Sequence, residues 1–332
     1  MKTAYINTSQ VPSTTANSIQ VMKVCQALAQ VNGQVCLWVP GREQAPWPAL
    51  AWQYGLETPF EVRWVPTWPA WHSYDFAWRA VSQAKAWGAG LVYTRGLQVA
   101  ATALLRGLPV ILEQHLRITG FLAPWLFRFF LHWPGKKRLL VITQALRRVL
   151  ENSYRLGLKS EEIQIAPSGV DLEQFISLPD PAAARLQLGF PKGITAAYTG
   201  HFYAGRGMDL LFGLAQCFQA VSFLWMGGKP DDVAAWQSRL DQTGVKNVIL
   251  TGFIDNRRLP LYQAAADILL MPYERVISVS GGGNTGDICS PIKMFEYLAS
   301  GRAILSSDLP VLREVLNPAN AVLCPPEDLP AL

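Results

Sequence analysis

A chain of 332 residues with 50% hydrophobic and 16% charged side chains can fill a large core, which excludes the disordered class, and its length predicts about two domains. Its five cysteines, at 25, 36, 217, 289 and 324, form no close pair, which argues against a zinc site or disulfide framework and fits a reducing cytosol. The net charge of +5 asks for an anionic partner; with no long Lys/Arg stripe and no nucleic-acid motif, an anionic substrate or membrane surface fits better than nucleic acid.

The first residues, Met1–Ser9, read as too short and polar for a signal peptide, and no apolar run reaches the roughly 18–20 residues of a membrane span. Thr3–Asn7 reads as a strand, Thr14–Val31 as a helix, and Gln34–Val39 as a strand after the Asn32-Gly33 turn. Glu61–Val65 is a further short strand. Leu91–Thr94 and Val110–Glu113 are apolar strands flanking a helix over Gln98–Arg106. Gly120–Trp133 is an aromatic-rich helix followed by Lys136-Lys137-Arg138. It reads either as a core helix ending in a basic turn or, through residues 120–138, as a peripheral contact with an anionic membrane. Some of the 12 tryptophans suit such an interface. Leu139–Ile142 and Ile163–Ala166 end this half, and the polar, proline-containing stretch 171–192 reads as a linker.

The second half repeats the pattern, with strands at Thr195–Thr199, Ser222–Met226, Val248–Thr251, Ile268–Met271, Ala303–Ser306 and Ala321–Cys324 and helices between most of them. The alternation predicts an α/β chain: domains over 1–170 and 193–332, each a parallel sheet covered on both faces, with ligands at the carboxyl ends of the strands. No Gly-x-Gly-x-x-Gly follows the first strand, so a nicotinamide dehydrogenase is disfavoured.

Residues 286–301 carry the densest chemistry. Pro291 suits the first turn of a helix, Ser290 its N-cap, and Gly301 its left-handed end. Ile292, Phe295 and Ala299 recur at helical spacing and predict the buried face. Lys293 lies in the first turn, against the helix dipole, which suggests an anion docked on the free N–H groups there. Glu296, one turn on, could accept hydrogen bonds from sugar hydroxyls. A Lys293–Glu296 surface pair on a capped core helix explains the same residues equally well.

The stretch Ser-Pro-Ile-Lys-Met-Phe-Glu-Tyr-Leu-Ala-Ser-Gly (290–301) resembles the donor-site signature of the retaining glycosyltransferases of family 4. Other blocks agree in order: Ile-Thr-Gln-Ala-Leu (142–146), Ala-Pro-Ser-Gly-Val-Asp (166–171), Tyr-Thr-Gly-His-Phe-Tyr-Ala-Gly-Arg-Gly (198–207), Trp-Met-Gly-Gly (225–228), Leu-Thr-Gly-Phe-Ile (250–254) and Ala-Asp-Ile-Leu-Leu-Met-Pro (266–272). The resemblance implies a GT-B fold, two Rossmann-like doubly wound domains with an interdomain cleft. It also implies transfer of a sugar from a nucleotide-diphosphate sugar to a glycan, lipid or small-molecule acceptor. No cofactor and no metal are implied, because fixed cations serve the diphosphate. Relatives usually continue past the point matching residue 332, with helices that return to the first domain.

The resemblance also implies roles. Arg206 and Lys293 hold the diphosphate, with Gly200, His201, Gly205, Ser290, Pro291 and Ile292 around it. Glu296 holds the ribose, and Phe253 and Ile254 line the base. His115, after the strand Val110–Glu113, approaches the reacting sugar. Ser13, Asn17 and Arg95 lie on the acceptor side, although Asn17 reads equally as helix capping. Many relatives carry a second glutamate eight residues before Glu296; Ile288 stands there, and Asp287 beside it is the candidate substitute. That departure, with a plain Ser9–Thr14 loop, supports an alternative: a non-catalytic sugar-nucleotide or glycan-binding homologue. The glycine-rich loop 278–286 reads either as a cover for the donor or as a surface loop. The expected setting is cytoplasmic, at the inner face of the cell membrane.

Overall fold

A computed structural model describes every residue except 43–44, 69–72, 279–283 and 332. The chain divides into two compact units, Met1–Pro167 and Ser168–Leu332.

The first unit holds the strands β1 (Lys2–Ile6), β2 (Gln34–Pro40), β3 (Glu61–Val65), β4 (Leu91–Thr94), β5 (Val110–Gln114), β6 (Lys137–Val141) and β7 (Ile163–Ile165). Their order is β3-β2-β1-β4-β5-β6-β7, all parallel. The central strands bury both faces: Ala4, Tyr5 and Ile6 of β1 and Leu37, Trp38 and Val39 of β2 are fully enclosed. That is why they read as continuous apolar runs rather than as alternation. The helices are α1 (Ala16–Asn32), α2 (Trp47–Tyr54), α3 (Tyr74–Ala86), α4 (Leu97–Leu105), α5 (Ala123–His132) and α6 (Gln144–Ser153). The sequence reading did not foresee α2 and α3, yet Phe76, Ala77, Ala80, Val81 and Ala84 have helical spacing and form the buried face of α3.

The second unit holds β8 (Thr195–Thr199), β9 (Ser222–Met226), β10 (Val248–Gly252), β11 (Ile268–Met271), β12 (Ala303–Ser307) and β13 (Val322–Cys324), again all parallel, in the order β10-β9-β8-β11-β12-β13. Its helices are α7 (Pro181–Leu188), α8 (Met208–Cys217), α9 (Pro230–Thr243), α10 (Leu259–Ala264) and α11 (Ile292–Ser300). In each sheet the strand order reverses beside one strand, at β1/β4 and at β8/β11. Crevices at such reversals are where open parallel sheets hold ligands.

The stretch 171–192, expected as a linker, instead carries α7. The Asp180 side chain caps it by accepting from the Ala183 N–H (2.9 Å), and Gly189 ends it in the left-handed region. Arg185 anchors it by donating to the Ala265 carbonyl and the Asp267 carboxylate, both at 2.8 Å. Pro181 marks helix entry here rather than an extended tether.

Candidate functional site

Two clusters of the expected residues form, one at each strand-order reversal. In the second unit, β8 leads into Gly200 and His201, and the turn Gly205-Arg206-Gly207 opens α8. Gly205 and Gly207 are left-handed (φ +85 and +75°), and a Cβ at either would overlap a backbone carbonyl, of Val276 and Pro272 respectively. The loop is therefore packed against the chain that follows β11, and only glycine fits it.

Arg206 is half-buried, donates to the Tyr273 hydroxyl at 2.7 Å, and lies over that ring, 5.0 Å from its centroid. Lys293 faces the same ring at 5.2 Å and lies 3.8 Å from the centroid of Tyr198. Its side chain is not on the surface: Lys293 is 9% exposed, and its Nζ has no hydrogen-bond partner among the described residues. Burial, and then the Arg206 charge, push the ammonium well below its ordinary pKa, with Glu296 opposing. The Nζ lies against Gly200, where an added Cβ would come within 2.8 Å of it. His201 stacks on Tyr203 (centroids 4.7 Å apart), and its Nδ1 is buried without a hydrogen-bond partner among the described residues. Burial and the charges of Arg206, Lys293 and Lys229 lower its pKa. Cationic groups thus gather around one point, as an anion site requires. Glu296, half-buried, accepts from the Gln263 amide at 3.0 Å.

The helix α11 departs from expectation in detail. It begins at Ile292 with Pro291 as N-cap, so Ser290 does not cap it. Ser290 instead accepts a hydrogen bond from the Ser168 N–H (3.0 Å), and its carbonyl accepts one from the Ser168 hydroxyl (2.7 Å). The buried face is Lys293, Met294, Tyr297 and Ser300, not Ile292, Phe295 and Ala299, which are half-buried. Tyr297 explains the rotation: its hydroxyl accepts from the Thr199 N–H at 2.9 Å and donates to the Leu270 carbonyl at 3.3 Å, tying α11 to β8 and β11. Phe253 is exposed and Ile254 half-buried just after β10. Asp287 is exposed, whereas Ile288 is part of the core. Of the loop 278–286, residues 279–283 lie outside the described residues. Among the described residues no group of three or more His, Cys, Asp or Glu is placed to hold a metal ion.

In the first unit, the ends of β1, β4 and β5 carry a connected polar chain. His115 Nε2 meets Glu113 Oε1 at 2.7 Å. Glu113 Oε2 accepts from the Tyr93 hydroxyl at 3.1 Å and from Arg95 Nε at 3.2 Å. Arg95 Nη1 donates to Asn17 Oδ1 at 2.7 Å, Asn17 Nδ2 to the Ser9 hydroxyl at 2.7 Å, and that hydroxyl to Asn7 Oδ1 at 2.8 Å. Asn17 therefore joins this chain rather than capping α1, whose cap is Thr15. Ser13 is not part of it; its N–H and carbonyl are tied to the Tyr54 hydroxyl at 2.7 and 3.0 Å. Burial raises the Glu113 pKa, but the His115 hydrogen bond and the Arg95 charge outweigh it and bring it to about 2.

Sequence reasoning missed Glu113, Tyr198, Tyr273, Gln263 and Tyr297. An acid in the last turns of an otherwise apolar parallel strand was the available signal for Glu113. The tyrosines sit in apolar runs and look like core.

Helix α5 buries one face, as the core reading of 120–138 expects, and leaves aromatic side chains exposed on and just before its other face. Phe127, Phe130 and Leu131 are buried, while Phe121 (86% exposed), Leu122 and Trp125 (66%) face outward. With Tyr74, Phe129 and His132, residues Leu122 and Trp125 line a groove of about 580 Å³. No helix among the described residues is long and apolar enough to cross a membrane.

Two family models match the chain: "Glycosyltransferase Family 4" over residues 18–174 and "Glycosyl transferases group 1" over 194–332. A phosphatidyl-myo-inositol mannosyltransferase of Mycobacterium tuberculosis is 29% identical over 234 residues, 68% of this chain and 55% of the relative. The alpha-galactosylglucosyldiacylglycerol synthase of Streptococcus pneumoniae is 25% identical over 173 residues, 50% of this chain and 46% of the relative. The matched regions thus span about half the length of these curated relatives. In fold, the chain is similar to the crystal structure of Anabaena HepE in complex with UDP (TM-score 0.71, 15% identity, covering 100% of this chain and 87% of that one).

Proposed function

The chain belongs to glycosyltransferase family 4, with a GT-B-like fold, and on that premise we propose that it is a retaining glycosyltransferase that uses a nucleotide-diphosphate sugar. The observation that carries this reading is the buried Lys293 ammonium nitrogen. It lacks a hydrogen-bond partner among the described residues and shares the Tyr273 ring with Arg206. A diphosphate would satisfy both cations at once.

In the proposed reaction, the bond between the sugar anomeric carbon and the diphosphate oxygen breaks. The acceptor oxygen bonds that carbon on the same face, and its proton passes to the leaving phosphate oxygen. Negative charge grows on the diphosphate. Arg206, Lys293 and the N–H groups opening α11 stabilise it, and such preorganised donors supply the largest share of rate enhancement in many enzymes. Glu296, held by Gln263, takes the ribose hydroxyls. Phe253 and Ile254 lie along the base, Gly200, His201 and Gly205 close around the phosphates, and Asp287 faces the donor sugar. His115, Arg95 and Asn17 serve the sugar and acceptor.

The acceptor we propose is a glycan or lipid presented at an anionic membrane surface, in the cytoplasm. Two of the similar proteins bear lipid names, a phosphatidyl-inositol mannosyltransferase and a diacylglycerol synthase. Residues 114–150 hold seven Arg or Lys and no Asp or Glu, and the outward aromatics of α5 lie among them. A second reading, binding without transfer, draws on Ile288, an apolar core residue at a position where many relatives carry a glutamate.

Calorimetric titration with UDP, GDP and ADP, and with their glucose or mannose conjugates, tests the proposal. Saturable binding of one nucleotide that is lost in Arg206→Ala and Glu296→Ala supports the donor site, and slow hydrolysis of its sugar conjugate supports transfer. Binding without hydrolysis or transfer favours the second reading, and no binding by any of them refutes both.

A further inference from the structure

We propose that Glu113 is the positioning residue of the first-unit cluster: it fixes the ring proton of His115 on Nε2 and so makes Nδ1 the atom that accepts a hydrogen from substrate. The inference rests, for its catalytic meaning, on the reading above that His115 approaches the reacting sugar.

A carboxylate only accepts hydrogen bonds. Glu113 is 4% exposed and is met by the Tyr93 hydroxyl, Arg95 Nε and His115 Nε2. With Arg95 paired to it, the group stays ionised, so the hydrogen in its 2.7 Å contact with the imidazole belongs to Nε2. Burial and the neighbouring Arg95 charge keep the imidazole from gaining a second proton readily, although Glu113 opposes them. A neutral ring protonated on Nε2 has its lone pair on Nδ1. That atom can accept a hydrogen from a sugar or acceptor hydroxyl; the opposite tautomer would present a donor instead.

The scaffold around Glu113 fits a positioning role. The same carboxylate orients Arg95, which in turn holds Asn17 of α1. Two donor nitrogens along this chain, Arg95 Nη2 and Asn7 Nδ2, are buried without a hydrogen-bond partner among the described residues. Leaving buried donors unpaired is costly unless something later pairs them. One carboxylate thus sets the direction of an acceptor (Nδ1) and of unpaired donors, at the reversal point of the sheet.

The experiment is nitrogen NMR of the full chain labelled in its four histidines, His72, His115, His132 and His201, with His115→Gln to assign the signal. At neutral pH the wild-type His115 ring is expected to give a protonated Nε2 and an unprotonated Nδ1. Glu113→Gln, whose amide oxygen is claimed by the Tyr93 hydroxyl and Arg95 Nε, turns an NH2 donor toward His115 and shifts the ring toward protonation on Nδ1. Glu113→Ala converts the wild-type pattern to a mixture of tautomers. In a transfer or donor-hydrolysis assay, Glu113→Ala lowers kcat on the order of a hundredfold, the scale of a misplaced catalytic group. KM for the donor changes little, and Glu113→Gln, which reverses the tautomer, does not restore kcat. An Nδ1-protonated ring in the wild type, or an unchanged tautomer in Glu113→Ala, overturns the inference. The NMR result requires no substrate, so it stands apart from failure of the transferase reading, which the nucleotide titration detects.

Discussion

Replacing Lys293 with Met should strengthen the empty second unit and weaken nucleotide binding at the same time. Its ammonium is buried, without a hydrogen bond among the described residues, against Tyr198 and Tyr273 and near Arg206. An unsatisfied buried polar group costs about 1–3 kcal/mol, and methionine fills a similar volume without that cost. The gain expected at pH 7 is therefore about 1–3 kcal/mol, read as a raised urea midpoint at constant m-value. The pH dependence follows from the folded pKa lying below the unfolded value. Between the two, the unfolded chain binds the extra proton, so wild-type stability rises with pH toward about 10.4. The advantage of Lys293→Met should thus shrink across that window. In a nucleotide titration the same variant should lose the charge-assisted bond to phosphate, about 1.5–3 kcal/mol, or roughly tenfold to a hundredfold in affinity. A variant that is less stable than wild type, or whose advantage does not change with pH, would refute the picture of an unpaired buried ammonium. Unchanged nucleotide affinity would refute its assignment to the diphosphate.

Gly207→Ala places a side chain at φ +75° against the Pro272 carbonyl and should cost at least about 1–2 kcal/mol, with loss of nucleotide binding, measured by thermal melting with and without nucleotide. Tyr273→Phe removes the hydroxyl that Arg206 donates to and should weaken nucleotide binding about two- to tenfold, by calorimetry, while the ring still supports both cations. Glu113, with its pKa held at about 2, contributes stability above the ordinary carboxylate range that is lost as pH falls toward 2, so acid unfolding of Glu113→Gln should depend less steeply on pH, as followed by circular dichroism. Thr143→Ala removes the cap that accepts from the Leu146 N–H and should cost about 1 kcal/mol in urea unfolding.

The alternation of apolar runs and amphipathic stretches made both parallel sheets legible, because buried parallel strands carry their own signature. Lys293 drew notice for a different reason: a cation in the first turn of a helix defies local preference and suggests an anion, whereas Arg206 entered through the resemblance alone. Partnerships across long sequence distances were not legible. Ser290 looks like a helix cap beside Pro291, yet it is drawn to Ser168, 122 residues earlier. The buried face of α11 was misjudged because Lys293, Tyr297 and Ser300 are not counted as apolar, though Tyr297 and Ser300 are buried with their hydroxyls paired. Glu113 went unweighed because its three partners come from three different positions, one on β4 and two in the loops after β4 and β5. The stretch 171–192 was misjudged because its prolines and polar residues suit both a tether and a helix start, and the Arg185–Asp267 pair that decides between them is tertiary.

The paired hydrogen bonds between Ser168 and Ser290 have a mechanical consequence. Ser168 is the first residue of the second unit, and Ser290 lies two residues before α11, whose opening N–H groups are proposed to grip phosphate. Two bonds acting together resist rotation as well as stretching, so the clip transmits torque as a single hydrogen bond would not. A tug on the opening of α11 when phosphate is gripped or released is therefore felt where the chain passes from one unit into the next, with no intervening side-chain relay.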